Sequence, residues 1–367
     1  MCISEISEFM KPVMFTRGVP PRESLPVDAL ADCAHQVILA TGVDVLQYAP
    51  VAGYQPLREI LAHQCGIPAE RVLLGQGSLQ ILDILLHCLL RPGDEVAVEQ
   101  PTYDRVLTLM RRAGLQIMPV PLQQDGLDIE KFEEELKNGR KIRLFYTIPD
   151  FQNPSGRVMT LGERRRLVAL SQTYHFTIVE DAPYRALRYS GEEVTSIFDL
   201  SPQTIIQLSS FSKLISPGLR VGYALLPQDL IENVSEYAAD TYINPSYVNH
   251  AIIYRFIING YMQDHIAFLQ AMYAGRLQAM LTALQRQLSG KCIWTQPQGG
   301  FFVGLWVDPA LKEHVLSLNA EDYGLKLSDG RGFFVTGGED FIRLPFCALQ
   351  TDEIQVGIQR LSAMLTR

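Results

Sequence analysis

The sequence has no CxxC pair and no cysteine placed beside a histidine at metal-ligand spacing. Its cysteines, Cys2, Cys33, Cys65, Cys88, Cys292 and Cys347, are scattered. That excludes a cysteine-framed metal centre and a disulfide scaffold, and it reads as free buried thiols in a reducing cytosol. Basic residues are also short: 32 Lys and Arg stand against 40 Asp and Glu, a formal net charge of −8. A nucleic-acid binder that works through a basic surface is therefore excluded. Long apolar runs are missing too. Leu79–Leu90 is interrupted by Gln80, Asp83 and His87, and Ala251–Ile258 by Arg255, so neither stretch can span a bilayer. The N-terminus, Met-Cys-Ile-Ser-Glu-Ile-Ser-Glu, is acidic where a signal peptide is basic, and it lacks an apolar segment. Internal repeats, low-complexity tracts and flexible linkers are absent. The expectation is a soluble cytoplasmic protein with no nucleic-acid or membrane partner.

What is present is an ordinary globular composition, 47% apolar and 20% charged, over 367 residues. That length exceeds what one core usually fills and predicts a large and a smaller domain. Short β-branched runs alternate with helical patterns between Arg71 and Pro227. The runs Arg71–Gly75, Glu95–Gln100, Gln116–Leu122, Arg143–Pro149, Phe176–Asp181, Thr204–Ser209 and Val221–Leu226 read as strands. Helices are predicted over Leu79–Leu90, Tyr103–Ala113, Ile129–Lys137 and Leu161–Tyr174. Apolar strands separated by helices imply an α/β fold with a mostly parallel sheet covered on both faces. A long helical region, Ser246–Leu288, then leads to Gly299–Val307 and a second α+β domain. The expected division is an N-terminal arm (1–43) that joins the small domain, a large domain (44–245), and a connecting helix with the small domain (246–367). The run Arg164-Arg165-Arg166 falls in a helical pattern and reads as a solvated helix face.

The strongest chemical signal is Ser209-Ser210-Phe211-Ser212-Lys213, continued by Leu214-Ile215-Ser216-Pro217-Gly218-Leu219-Arg220. It follows an apolar strand, so Lys213 sits at the end of a rigid element. Burial or neighbouring cations would lower its pKa and make the amine a usable nucleophile. Ser210, Ser212 and Arg220 offer hydroxyls and a fixed cation suited to a phosphate dianion. Ser210 to Lys213 also spells S-x-x-K, but the S-D-N and K-T-G tripeptides of acyl-serine enzymes do not occur. The turn Gly75-Gln76-Gly77-Ser78-Leu79-Gln80 lies between a strand and a helix, where backbone N–H groups bind phosphate. As a dinucleotide fingerprint it fails, because Gln80 occupies the third glycine position.

Other strand ends add to this. Asp181 closes the strand Phe176–Asp181, where open α/β folds place ligands, although a helix cap is the competing reading. Were the ligand a pyridine, a buried carboxylate there would keep its nitrogen protonated. Ile148-Pro149-Asp150-Phe151-Gln152-Asn153-Pro154-Ser155-Gly156 forms a stiff loop, and Tyr103 offers a ring that can stack on a flat cofactor. Arg343, inside the apolar run Phe341-Ile342-Arg343-Leu344, needs a partner such as a carboxylate ligand.

Together these blocks resemble the fold-type I pyridoxal-phosphate enzymes, in particular class I/II aminotransferases of the 2-aminoadipate and kynurenine type. The resemblance runs from Gln47-Tyr48-Ala49-Pro50-Val51-Ala52-Gly53-Tyr54-Gln55-Pro56-Leu57-Arg58 to Arg343. It implies a seven-stranded large, cofactor-binding domain and a small domain built from both chain ends. Lys213 would bear pyridoxal 5′-phosphate as an aldimine and shuttle the proton between Cα and C4′. Asp181 would pair with the pyridine nitrogen, Asn153 and Tyr184 with the phenolic oxygen, and Tyr103 would stack on the ring. Gly77, Ser78, the Leu79 amide, Ser210, Ser212 and Arg220 would hold the phosphate. Tyr48 would reach the neighbouring subunit's phosphate site, which implies a homodimer with shared active sites. Arg343 and Asn153 would bind the α-carboxylate of an L-amino acid or 2-oxo acid.

Several positions depart from the family pattern. Leu79 stands where glutamine is frequent, Asp329 where a proline is, and Asp150 where a small polar residue is common. With Asp240, the two aspartates suggest a cationic side chain on the substrate. Arg17 and Gly18, in Phe15-Thr16-Arg17-Gly18-Val19-Pro20, reach toward the same pocket, and Arg17 pulls toward acidic substrates. Asp329 and Arg331 keep elimination, replacement or cyclisation on the same cofactor open as an alternative to transamination. A non-catalytic effector module of a transcription regulator is the remaining alternative. Against it, only about 43 residues precede Val43-Asp44, too few for a winged-helix domain.

Overall fold

The computed structural model describes residues 11–123, 126–308 and 319–365. Cys2 and the acidic N-terminal stretch lie outside the described residues. After a short strand β1 (Val13–Phe15), the chain builds a seven-stranded sheet. Its strands are β2 (Val72–Gly75), β3 (Glu95–Gln100), β4 (Gln116–Pro121), β5 (Ile142–Thr147), β6 (Thr177–Asp181), β7 (Ile205–Ser210) and β8 (Gly222–Leu225). Their order is β2-β8-β7-β6-β5-β3-β4, with β8 antiparallel to both neighbours and the other pairs parallel. Every strand read from the sequence between Arg71 and Pro227 is present, with ends within one or two residues.

The strands are apolar on both faces because both are covered. Leu144 and Tyr146 pack into one hydrophobic core, while Phe145 between them packs into the other. Each such fully buried large side chain contributes roughly 1.5–3 kcal/mol. The helix Leu161–Tyr174 begins at a capping box: Glu163 N donates to Thr160 Oγ1 at 3.3 Å, and Thr160 N donates to Glu163 Oε2 at 2.7 Å.

Two expectations need correction. The helical region Ser246–Leu288 is two helices, Tyr247–Ile258 and Tyr261–Leu288. Gly260 breaks it at φ 82°, a conformation that stops helix propagation. The arginine run is not wholly a solvated face. Arg165 and Arg166 are exposed, but Arg164 is 0% exposed. It lies on the helix face of Leu167, Val168 and Ser171, three, four and seven residues on, which is buried.

Beyond the large sheet, β9 (Cys292–Trp294), β10 (Phe302–Val307) and β12 (Phe341–Pro345) form an antiparallel sheet in the order β12-β10-β9. Strand β11 (Leu325–Leu327) pairs in parallel with β1, so the segment before the large sheet joins the segment after it. The cysteines within the described residues are free thiols. No helix among the described residues is long and apolar enough to cross a membrane.

Candidate active site

The C-terminal ends of β3, β5, β6 and β7 converge on a cavity of about 360 Å³. This is where open α/β sheets present ligand-binding side chains. Asp181 is the last residue of β6, Lys213 follows the end of β7, Asn153 lies in the loop after β5, and Tyr103 follows β3. Thr16–Val19, just after β1, and Arg343 on β12 close the other side.

Lys213 Nζ donates to Gly18 O at 3.1 Å and lies 6.0 Å from the Tyr184 ring centroid and 5.7 Å from that of Phe301. Burial lowers its pKa, and the neighbouring Arg343 and Arg220 add to the effect. A neutral amine is thus available nearer neutral pH than in a free lysine. Asp181 is 6% exposed; its Oδ2 accepts from the Tyr146 hydroxyl at 2.6 Å, and its Oδ1 is buried with no partner among the described residues. Burial pushes the Asp181 carboxyl up to about 6, opposed by the Tyr146 hydrogen bond and by Lys213. An orphaned buried acceptor of this kind is costly unless a ligand donor completes it.

One wall of the cavity is an anion cup. Ser210 Oγ lies 2.9 Å from Ser212 Oγ, and Ser212 N donates to Ser210 Oγ at 3.1 Å. Arg220 Nη2 donates to Gln76 O at 3.1 Å, which ties the guanidinium to the glycine turn. A Cβ at Gly77 (φ 94°) would meet Arg220 Nη2 at 2.6 Å, and one at Gly222 would meet Ser78 N at 2.5 Å. Glycine at both positions lets backbone and cation close around an anion at the start of the Ser78–Leu89 helix. Gln80, the residue that spoils the dinucleotide pattern, braces the turn instead: Gln76 N donates to its Oε1 at 2.6 Å.

The opposite wall is built around Arg343. Its Nη1 donates to Asn153 Oδ1 at 3.1 Å and its Nη2 to Thr16 O at 3.1 Å and Ser328 Oγ at 3.3 Å. The guanidinium carbon sits 4.9 Å from the Phe302 ring centroid and 4.6 Å from that of Phe333, a stack that fixes its plane. Tyr184 is buried against Phe301 and Phe302. Burial holds its hydroxyl well above the usual tyrosine range.

Lys213, Asp181, Tyr184, Tyr103, Asn153, Gly77, Ser78, Leu79, Ser210, Ser212, Arg220, Arg343, Arg17 and Gly18 all line the one cavity. Tyr48 does not; it is 79% exposed. The three aspartates expected to face a cationic substrate also stand elsewhere. Asp150 is 1% exposed and ion-paired with Arg164 at 2.8 Å. Asp329 is exposed and paired with Arg331 at 2.7 Å, and Asp240 is exposed on the helix Ile231–Tyr242. The cavity instead carries Arg17 and Arg105, with Asp104 beside Arg105. Sequence reading missed Tyr146, Phe302 and Phe333. Tyr146 shares strand parity with Ile148, a cavity residue, which was the available signal.

Residues 13–361 match the family model for aminotransferase class I and II. The chain is 32% identical to a 2-aminoadipate transaminase from Thermus thermophilus, over 96% of this chain and 89% of that one. It is 32% identical to an aromatic-amino-acid aminotransferase from Thermococcus litoralis, over 99% of this chain and 91% of the relative. Among solved structures, an α-aminoadipate aminotransferase from Thermus thermophilus, complexed with N-(5′-phosphopyridoxyl)-L-leucine, superposes with a TM-score of 0.89. It is 29% identical and covers 100% of this chain and 94% of its own. A desolvated amine, an orphaned carboxylate oxygen, an anion cup and a stacked arginine fit that cofactor and an amino acid: this chain belongs to the class I and II aminotransferases, and it is a pyridoxal-phosphate-dependent enzyme that transfers amino groups.

Proposed function

We propose that Lys213, Asp181 and Arg343 divide the work of transamination, and that the substrate's side chain is anionic or rich in acceptors. When bound, pyridoxal phosphate supplies an electron-withdrawing ring that acidifies the Cα–H of an attached amine. The buried Oδ1 of Asp181, without a partner among the described residues, carries this reading, because a protonated pyridine nitrogen is the donor it lacks. The anion cup of Gly77, Ser78, the Leu79 amide, Ser210, Ser212 and Arg220 would hold the phosphate, Tyr103 would lie against the ring, and Asn153 and Tyr184 would meet its phenolic oxygen. Arg343, already planar and stacked, would exchange its contacts to Thr16 and Ser328 for the α-carboxylate, with Asn153 beside it. Lys213 Nζ would carry the proton between the substrate's Cα and the cofactor's C4′, and burial, which lowers its pKa, frees the amine for that at a lower pH than in a free lysine.

The side-chain preference follows from the lining. Arg17 makes no ion pair or hydrogen bond through its side chain among the described residues and faces the cavity, whereas Asp150, Asp240 and Asp329 do not line it. The relative named for 2-aminoadipate acts on an acidic amino acid. A homodimer is part of the same reading. Tyr48 at 79%, Val43 at 89% and Leu46 at 67% exposure form an apolar stretch that a second copy would cover, bringing Tyr48 to its phosphate cup.

The direct test is Lys213→Ala. It should abolish borohydride-reducible attachment of the cofactor and the visible absorbance of the protein. The parent should convert acidic amino acids to 2-oxo acids and leave pyridoxamine phosphate, with lysine and ornithine far poorer substrates. A preference for the basic amino acids would refute the side-chain assignment alone. Light scattering that finds a monomer would refute the dimer.

A further inference from the structure

Tyr146 has no part in the roles assigned so far, yet it makes the closest polar contact to the carboxylate at the floor of the site. Strands β5 and β6 are parallel neighbours with Tyr146 opposite Val179. Asp181, two residues past Val179, therefore lies on the same sheet face as Tyr146. The tyrosine is 0% exposed, and its hydroxyl donates to Asp181 Oδ2 at 2.6 Å. This bond makes the two carboxylate oxygens different: Oδ2 is taken, and Oδ1 is buried at the cavity wall with no partner among the described residues.

The other ionisable groups around Asp181 do not fix its orientation. Lys213 acts on it through charge and donates to Gly18 O, and Tyr103 and Tyr184 are likewise coupled only through charge. Glu180 projects to the opposite face, where it accepts from Ile197 N, Phe198 N and Gln207 Nε2 at 3.0, 2.8 and 2.9 Å. Tyr146 makes the hydrogen bond to the Asp181 side chain found among the described residues.

We propose that Tyr146 is a positioning residue for the cofactor: by holding Oδ2 it turns Oδ1 of Asp181 toward the pyridine nitrogen. A phenol is well suited to this, since it donates strongly to a carboxylate and its buried ring cannot swing away. The inference rests on the role given to Asp181 above, so the test must separate the two.

Tyr146→Phe and Asp181→Asn are made singly and together, and each is loaded with pyridoxal phosphate. Two quantities that need no turnover are read. One is the dissociation constant of the cofactor, the other the pH midpoint of the visible absorbance of the Lys213-bound cofactor. Tyr146→Phe is expected to weaken cofactor binding about tenfold. It should also raise the midpoint by about half a pH unit or more, because a less firmly paired ring nitrogen draws fewer electrons from the Lys213 nitrogen. Asp181→Asn should change both quantities more, and adding Tyr146→Phe to it should change neither by more than about twofold or a few tenths of a unit. Parent values for Tyr146→Phe beside altered values for Asp181→Asn would overturn the positioning role and leave the role of Asp181 standing. Parent values for Asp181→Asn would sink that role and this inference with it. A Tyr146→Phe effect that persists undiminished beside Asp181→Asn also overturns the inference, since the hydroxyl would then act by another route.

Discussion

Arg164 and Asp150 form an ion pair at 2.8 Å with side chains 0% and 1% exposed, beneath the loop that carries Asn153. Arg185 at 3.1 Å and Arg188 at 3.9 Å share the same carboxylate. Arg164 also donates to Met159 O, Thr195 O and Pro149 O, so its guanidinium is fully engaged. Removing the carboxylate leaves a buried cation unpaired, which typically costs about 3–5 kcal/mol. Asp150→Ala is expected to lose that much in chemical denaturation of the holoenzyme. It should also lower kcat/KM, because Asp150 is three residues before Asn153 and anchors its loop.

The ion pair also shows where the sequence was readable and where it was not. Strands β3 and β5–β7 were legible because each is a short run rich in apolar and β-branched residues with a polar residue at its C-terminal end, and Lys213 and Asp181 were legible because they stand at or just beyond those ends. Arg164 was not, because its partner lies 14 residues earlier and a charge within a helical pattern resembles a solvated one. Tyr146 could be placed on a strand, but its contact with Asp181 depends on the lateral register of β5 and β6, which no local pattern encodes. The approach of Thr16–Val19 to Lys213 depends on β1 pairing with β11, more than 300 residues away in sequence. Asp329 is a simpler case, with a partner close by in sequence. Its carboxylate is taken by Arg331, two residues on.

Glu99 is buried on β3 and accepts from Thr147 Oγ1, Ile148 N and Gln152 Nε2 at 2.7, 3.1 and 3.2 Å. Burial outweighs these donors and pushes the carboxyl from 4.5 up to about 7. The folded state therefore keeps a proton between roughly pH 4.5 and 7 that the unfolded chain has released. The associated stability is complete below pH 4.5 and is lost as pH rises through 7, a total of roughly 3 kcal/mol. Glu99→Gln cannot titrate. Denaturation curves at pH 5 and pH 8 should show the parent losing ground to the variant by about that amount. Asp181 titrates in the same direction in both proteins and cancels in the comparison.

Gly222 begins β8 opposite Gly75, beside the glycine turn of the anion cup. A Cβ there would lie 2.5 Å from Ser78 N and 2.6 Å from the Gly77 carbonyl carbon, both backbone atoms that cannot rotate aside. Gly222→Ala should push the glycine turn away from Arg220 and Ser210. The expected results are a loss of about 1–3 kcal/mol in stability and at least about tenfold weaker binding of pyridoxal phosphate, measured by fluorescence titration. Normal cofactor affinity in a folded variant would show that the turn does not form the cup.

Arg17 offers the sharpest test of substrate preference. The other cations of the cavity are engaged: Arg343 with Asn153, Arg220 with Gln76, and Arg105 beside Asp104 at 3.8 Å. Arg17 is exposed, so its attraction for a distal carboxylate is screened, and about 0.5–1 kcal/mol is a reasonable scale. Arg17→Gln should then lower kcat/KM about two- to fivefold for an acidic amino donor, mostly through KM, since the charge interacts equally before and during the reaction. For an apolar donor such as leucine kcat/KM should stay within about 1.3-fold of the parent value. The discrimination should also narrow when the parent is assayed at high salt. Equal losses for both donors would mean that Arg17 shapes the Thr16–Val19 segment and does not select the side chain.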